Sequence, residues 1–337
     1  MNIFSCIFVI IGAIIGAGFA SGKEIYSFFF VYGINGIIGL LISTILIGYI
    51  IFKSLKIIKK YDINNYDELL KIILNKKEDR KINVEIIINF IINIFLLITF
   101  YIMCAGFSAY FNQEFGINNI FSGILIAIVS YIILNKNTKG IFFINSFLIP
   151  LIIFILIILG IKGYGNIGDF PNAFNTWKWL PKAILYASYN TVTLISILIP
   201  MKKYINDKKD IFKITIFSII IILIMALIII ILLLNIKSDI NIIELPAVYA
   251  SGLFGNTYKW LYGIIILGAI ITTEISAGYG FLNNISNNNK EYKLYNKIIC
   301  ITSIPVSLLG FSNLVNNLYP IFGVLGLIQI FLILKCK

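Results

Sequence analysis

Four glycines, Gly12, Gly16, Gly18 and Gly22, fall within eleven residues of an apolar run long enough to span a bilayer. From Ile10 to Glu24 the stretch reads I-I-G-A-I-I-G-A-G-F-A-S-G-K-E. Glycine in a helix interior costs about 1 kcal/mol relative to alanine, so the cluster weakens the helix where a membrane span should be most regular. Ser21 and Glu24 have the spacing of a capping box, which satisfies the first free N–H groups of a new helix. The expected form is a helix to about Ile15, a break over Gly16–Ala20, and a restart near Gly22. Lipid cannot satisfy the backbone groups that a break releases, so a break at membrane depth persists only where protein, ligand or water fills it. The alternative is an unbroken glycine-rich face packed closely on a neighbouring helix.

The rest of the chain fits a membrane setting. Charged residues make up 12% and hydrophobic ones 59%, with a mean hydropathy of +0.96. A soluble domain carries roughly 25% charged residues, so the composition is that of an integral membrane protein. No basic n-region or small-residue cleavage site precedes the glycine cluster, and no removable signal peptide is expected. The net charge of +12 comes from basic residues dispersed among apolar segments, which argues against nucleic acid as a partner. With no histidine in the sequence, histidine metal sites, His-dependent triads and imidazole proton relays are excluded. Cys6, Cys104, Cys300 and Cys336 are widely spaced in or beside apolar segments and read as free thiols.

Apolar runs give ten candidate spans: about 3–31 (broken), 35–55, 83–110, 118–135, 141–161, 181–201 (broken), 211–234, 257–283, 296–311 and 316–334. Assigning the connections to alternate sides puts 21 basic residues on one side and five on the other, with Lys23 inside the first span. By the positive-inside rule the 21-residue side is cytoplasmic and holds both termini, giving a multi-pass protein of the cell membrane. Trp177, Trp179 and Trp260 fall near the outer ends of spans, as an interfacial belt would place them. Residues 67–74 read as a short amphipathic helix on the inner surface or a plain loop helix; Lys76, Lys77, Arg80 and Lys81 beyond it act as topology determinants. Outside, proline at 246 and glycine at 255 bracket a short helix, either a lid or a linker.

Ten spans divide five and five within a single transmembrane domain, residues about 1–162 and about 178–337. The second half then opens with span six, whose centre carries Tyr186, Ser188, Tyr189, Asn190, Thr191 and Thr193 between apolar flanks. Interrupted helices at matching positions in two halves point to a transporter binding site at the repeat interface. The alternative is that Ser188, Asn190 and Thr191 only bond to neighbouring helices.

Residues 9–39, with I-I-G-A-G-F-A-S-G-K-E-I followed by F-F and Y-G-I-N-G, resemble the opening of YkvI-type bacterial membrane proteins. Those are similar to the amino acid–polyamine–organocation (APC) superfamily, whose fold is that of the sodium-coupled transporter LeuT. The Y-A-S-Y-N centre of span six and the paired threonines of span eight agree with the likeness, while Lys23 stands where a neutral polar residue is more usual. The resemblance implies an all-α membrane fold of about ten helices in a 5+5 inverted repeat, with helices 1 and 6 broken. It implies that N–H groups around Gly16, Ala17 and Gly18 face a substrate carboxylate, with Tyr186, Ser188, Tyr189 and Asn190 on the opposite wall. Thr99, Tyr101 and Cys104 of span three would cross nearby, and Tyr101 would place its hydroxyl over the substrate. A sodium site is implied at the carbonyls of Gly12, Ile15 and Ala269 and the hydroxyls of Thr272 and Thr273, or the two threonines bond to their own helix.

Charges within spans are costly unless paired or solvated. Lys23, Glu24 and Glu274 are the candidates: Glu24 as the capping-box partner, Lys23 reaching water or a carboxylate, and Glu274 protonated, paired with Lys23, or carrying protons. The function expected is secondary transport of a small solute, an amino acid first, by alternating access coupled to sodium and with no other cofactor. The rival readings are a receptor-like membrane protein that binds a solute without net transport, and a proton-coupled transporter using Glu274. An enzyme lacks the catalytic groups it would need, and a channel lacks a filter motif or charged ring.

Overall fold

Long apolar runs in a membrane must satisfy their backbone internally, and this chain does so with helices throughout. The computed structural model describes residues 3–63, 66–73, 82–135, 139–166, 168–171, 177–286 and 288–336, and among them there is no strand. The first span is in three pieces, α1 (Ile3–Ile14), α2 (Ala17–Ala20) and α3 (Lys23–Phe28), followed by a 3-10 turn at Phe30–Tyr32. Then come α4 (Gly33–Lys60), the short α5 (Tyr66–Ile73), α6 (Ile82–Phe115), α7 (Asn119–Leu134) and α8 (Lys139–Gly163). The second half has α9 (Trp179–Leu198), a 3-10 stretch at Ile199–Tyr204, α10 (Lys208–Leu234) and the short α11 (Pro246–Gly252). It closes with α12 (Asn256–Ile285), α13 (Asn289–Ser307) and α14 (Phe311–Lys335).

Each expected span therefore has its helix. Five described segments are long and apolar enough to cross a membrane: Lys23–Lys60, Asn89–Phe115, Lys208–Leu234, Asn256–Ile285 and Phe311–Lys335. Ile3–Ile14, Asn119–Leu134 and Leu148–Gly163 are shorter apolar helices. The last boundary differs from the reading: the turn lies at 308–310, so α14 begins at Phe311 and not at 316. Residues 76, 77, 80 and 81 lie outside the described residues.

The broken span is wrapped by two sets of helices. On one side α4, α9 and α14 pack along one another; on the other, α12 packs along α6 and α13 along α7. Contact between α14 and α9 is close because Gly323 and Gly326 have no side chain: a β-carbon on either would strike backbone at Leu185 or Ser188. Between the sets, α1 packs on α8, α9 and α10, α2 touches α12, and α3 reaches α9, α10 and α14. At one end of the bundle, Lys202 pairs with Asp62 at 2.9 Å and holds that carboxyl below the usual carboxylate range.

One expectation fails here. Span six is not interrupted: α9 runs unbroken through Tyr186, Ser188, Tyr189 and Asn190 to Leu198. Its polar side chains bond back to carbonyls one turn earlier, Ser188 Oγ to Ile184, Asn190 Nδ2 to Tyr186 and Thr191 Oγ1 to Ala187, at 2.7–2.9 Å. Polar groups satisfied inside their own helix need no break to account for them.

Candidate functional site

The first span does break, at Gly16, whose backbone turns extended (φ −80°, ψ −174°). Ile15 N–H is the last donor to bond back into α1, to Ile11. The N–H groups of Gly16, Ala17, Gly18 and Phe19 and the carbonyls of Gly12, Ala13, Ile14 and Ile15 make no backbone hydrogen bond among the described residues. Ile14, Ile15, Ala17, Gly18 and Phe19 are buried and Gly12, Ala13 and Gly16 partly so, and backbone groups so placed are normally paired, so their gathering marks a candidate site. A β-carbon on Gly16 would meet nothing within 4 Å, so there is open space beside that residue.

A second interruption follows at Ser21–Gly22, where Gly22 has φ +82° and opens α3. The capping box does not form. Ser21 Oγ donates to Gly18 O at 2.7 Å and accepts Lys23 N–H at 3.2 Å, and no side chain caps α3. Glu24 does not reach back to Ser21, because its carboxylate is held by tertiary partners. It lies against Gly18 and accepts a hydrogen bond from the Tyr189 hydroxyl of α9, with Tyr319 of α14 beside it. Glu24 is 5% exposed.

Aromatic rings enclose that carboxylate. Tyr189 and Tyr319 have centroids 4.9 Å apart, and Tyr186 meets Tyr189 edge-on at 5.4 Å. Phe28 and Phe29 lie against Tyr186 at 5.4 and 4.8 Å. The Tyr186 hydroxyl is buried beside the Asn190 and Tyr189 side chains. Of the expected wall, Tyr186 and Tyr189 therefore surround Glu24, whereas Ser188 and Asn190 bond within α9.

Lys23 is fully buried and faces the connection between α10 and α11, not Glu274. Its Nζ donates to the carbonyls of Ile243 (3.0 Å) and Asn241 (3.4 Å), and Tyr26 hydroxyl donates to Asn241 Oδ1 at 2.7 Å. Gln113 brackets Leu245 through both its N–H and its carbonyl, while Glu244 accepts Ser312 N–H at 2.6 Å. The Ala247 N–H then donates to Ser21 O at 2.8 Å, which fixes the start of α11 on the broken span. Residues 239–247 thus form a cover tied to α3, α6 and α14.

The remaining candidates are spread over α1, α6 and α12. Gly12 on α1 abuts Ile149 of α8. Thr272 Oγ1 lies within bonding distance of the Gly268 (2.9 Å) and Ala269 (3.2 Å) carbonyls of its own helix, and Thr273 is half-buried. Tyr101 hydroxyl pairs with Thr302 of α13 at 2.6 Å. Glu274, fully buried on α12, meets Ser130 of α7 and Cys104 of α6 at its Oε1, and its Oε2 has no hydrogen-bond partner among the described residues. Sequence reasoning missed Tyr319 and Ser130; Tyr319 follows Asn316 and Asn317, and Ser130 stands beside Tyr131, so neither is set apart by its neighbours and only the packing makes them specific.

No protein-family profile matches the chain. It is 28% identical over 332 residues to the uncharacterized membrane protein YkvI of Bacillus subtilis (strain 168), covering 95% of this chain and 92% of that protein. It is 25% identical over 329 residues to the uncharacterized protein YyaD of the same organism, with the same coverages. Among solved structures, a point mutant of the Eremococcus coleocola manganese transporter superposes with a TM-score of 0.58 at 11% identity, covering 96% of this chain and 76% of that one. The manganese transporter from that organism in complex with an aromatic bis-isothiourea substituted compound gives 0.58 at 14% identity, with the same coverages. Over its described residues the chain is helical without strands and shares its fold with that transporter.

Proposed function

We propose that the chain is a secondary active transporter of a small solute, working by alternating access on two inverted halves of five helices, as in the LeuT-type fold of the APC superfamily. The observation that carries the reading is the break at Gly16. Eight backbone groups lack backbone partners there, open space lies beside Gly16, and a buried carboxyl side chain lies against Gly18. Backbone released inside a membrane protein is how transporters of interrupted-helix design coordinate their cargo.

An amino acid suits this arrangement. Its carboxylate would accept from the N–H groups of Gly16 to Phe19, and its ammonium group would face the carbonyls of Gly12 to Ile15 or the Glu24 carboxylate. The ring cluster of Phe28, Tyr186, Tyr189 and Tyr319 would shield both from water. The test is a thermal-unfolding screen of the purified protein against single amino acids, followed by flux into proteoliposomes for any that stabilise it. Stabilisation that is lost in Gly16→Leu and in Glu24→Gln is the expected result. Stabilisation unaffected by both variants would place the site elsewhere, and binding without flux would make the protein a receptor.

A further inference from the structure

Among the described residues two acidic ones are buried, Glu24 and Glu274, and the solute site proposed above uses Glu24. Glu274 is the other, on the side of α12 that faces α6 and α7. Its surroundings can be counted proton by proton. Ser130 Oγ lies 2.7 Å from the Ile126 carbonyl, one turn earlier on α7, and in close hydrogen-bonding contact with Glu274 Oε1. A serine hydroxyl has one hydrogen and two lone pairs. The Ile126 carbonyl is an acceptor only, and the single Ser130 hydrogen can fill just one of the two contacts. A hydrogen on the carboxyl group fills both at once, with Ser130 donating to Ile126 and Glu274 Oε1 donating to Ser130.

Cys104 agrees with this count. Its thiol donates to Glu274 Oε1 at 3.1 Å, using the lone pair that a protonated oxygen keeps. Oε2 is then the carbonyl oxygen of a neutral acid. It is buried with no hydrogen-bond partner among the described residues, a modest penalty for a carbonyl and a severe one for half of an ionised carboxylate. The titratable groups facing it are Cys104 from α6 and Cys300 from α13; α7 contributes only Ser130. Among the described residues α2, α8 and α11 bring no charged group to it, and no cation balances it.

We propose that Glu274 is a proton-binding site, which holds its proton on Oε1 in this conformation and releases it to water when α7 and α12 part. The site is joined to the solute site through α12 itself. Tyr262 on the same helix donates its hydroxyl to the Ala20 carbonyl of the broken span. At 1.5 Å per residue it stands about 18 Å along the helix from Glu274. Movement of the broken span is thereby carried to the Ser130 contact. Coupling of that proton to solute flux rests on the transport reading above; occupancy of the site does not.

The experiment is infrared difference spectroscopy of the full-length protein in nanodiscs across a pH jump, with the proton as the probe. The wild type should show the carbonyl-stretch band of a buried protonated carboxylic acid. Glu274→Gln should remove it, and Ser130→Ala should move it to higher frequency by deleting its hydrogen-bond acceptor. Glu24→Gln, which removes the other buried carboxyl, should leave it in place. A band unchanged in Glu274→Gln, or one that disappears in Glu24→Gln alone, would overturn the assignment. In proteoliposomes given a labelled amino-acid mixture, Glu274→Gln should lose accumulation driven by a pH gradient while keeping exchange between preloaded pools. A wild type that moves none of the mixture defeats the transport reading, and the infrared result still decides the proton site.

Discussion

A β-carbon on Gly18 would overlap the carboxylate of Glu24, so the glycine at 18 and the acid at 24 occupy one position between them. Six residues of broken helix fold back until the side chain of one fills the side-chain space of the other. Glycine here does more than loosen a helix. It lets a charged group lie against the break, where the Tyr189 hydroxyl meets it.

The first prediction separates the two glycines of the break. Gly18→Ala forces Glu24 off Tyr189, and a small-to-large change in a filled core costs about 1–3 kcal/mol. Gly16→Ala enters open space with an ordinary φ of −80° and should be nearly neutral. Thermal unfolding in detergent should show a lowered midpoint for the first and little change for the second. Equal effects would mean that the packing at Gly18 is not what holds Glu24.

A second prediction concerns the cover. Lys23→Met keeps the apolar stem and deletes the donors to the Asn241 and Ile243 carbonyls, and hydrogen bonds to a charged group contribute about 1.5–3 kcal/mol each. Residues 239–245 should then open more often. A cysteine at the buried Ile243, in a background without the native cysteines, should react with a membrane-impermeant thiol reagent several-fold faster in Lys23→Met. An unchanged rate would show that Gln113 and Ser312 hold the cover without help from Lys23.

The spans were legible in the sequence because hydropathy is a property of each run by itself. The broken span was legible for the same reason, since Gly16 and Gly22 disrupt a helix whatever surrounds them. What misled was local pattern read without tertiary competition. Ser21 and Glu24 had capping-box spacing, but Tyr189, 165 residues away, takes the Glu24 carboxylate. The polar centre of span six suggested a break, yet Ser188, Asn190 and Thr191 satisfy themselves within α9. Glu274 stood out as a deep charge; Ser130 and Cys104, which define its proton, come from two other helices and no spacing announces them.

Orientation gives the third prediction. With 21 basic residues on one side against five, Tyr61 belongs inside and Trp177 outside. Both are exposed. Single cysteines at these positions should label from opposite faces of intact cells and membrane vesicles, and labelling of both from one face would contradict the ten-span topology.

The last prediction concerns sodium. The site implied by resemblance takes oxygens from Gly12, Ile15, Ala269, Thr272 and Thr273. Thr272 Oγ1 lies 2.9 Å from the Gly268 carbonyl and 3.2 Å from the Ala269 carbonyl, so its one hydrogen points back into α12 in this conformation. That back-bond by itself accounts for the hydroxyl, because it is what threonine ordinarily does in a membrane helix. Thr272→Val keeps the shape and removes the hydroxyl. Uptake into proteoliposomes at clamped pH should therefore be unchanged when choline replaces sodium, in the wild type and in Thr272→Val alike. Uptake that needs sodium in the wild type and falls at least ten-fold in Thr272→Val, about 1.4 kcal/mol, would restore the threonine pair as ligands and move the coupling ion from Glu274 to the break.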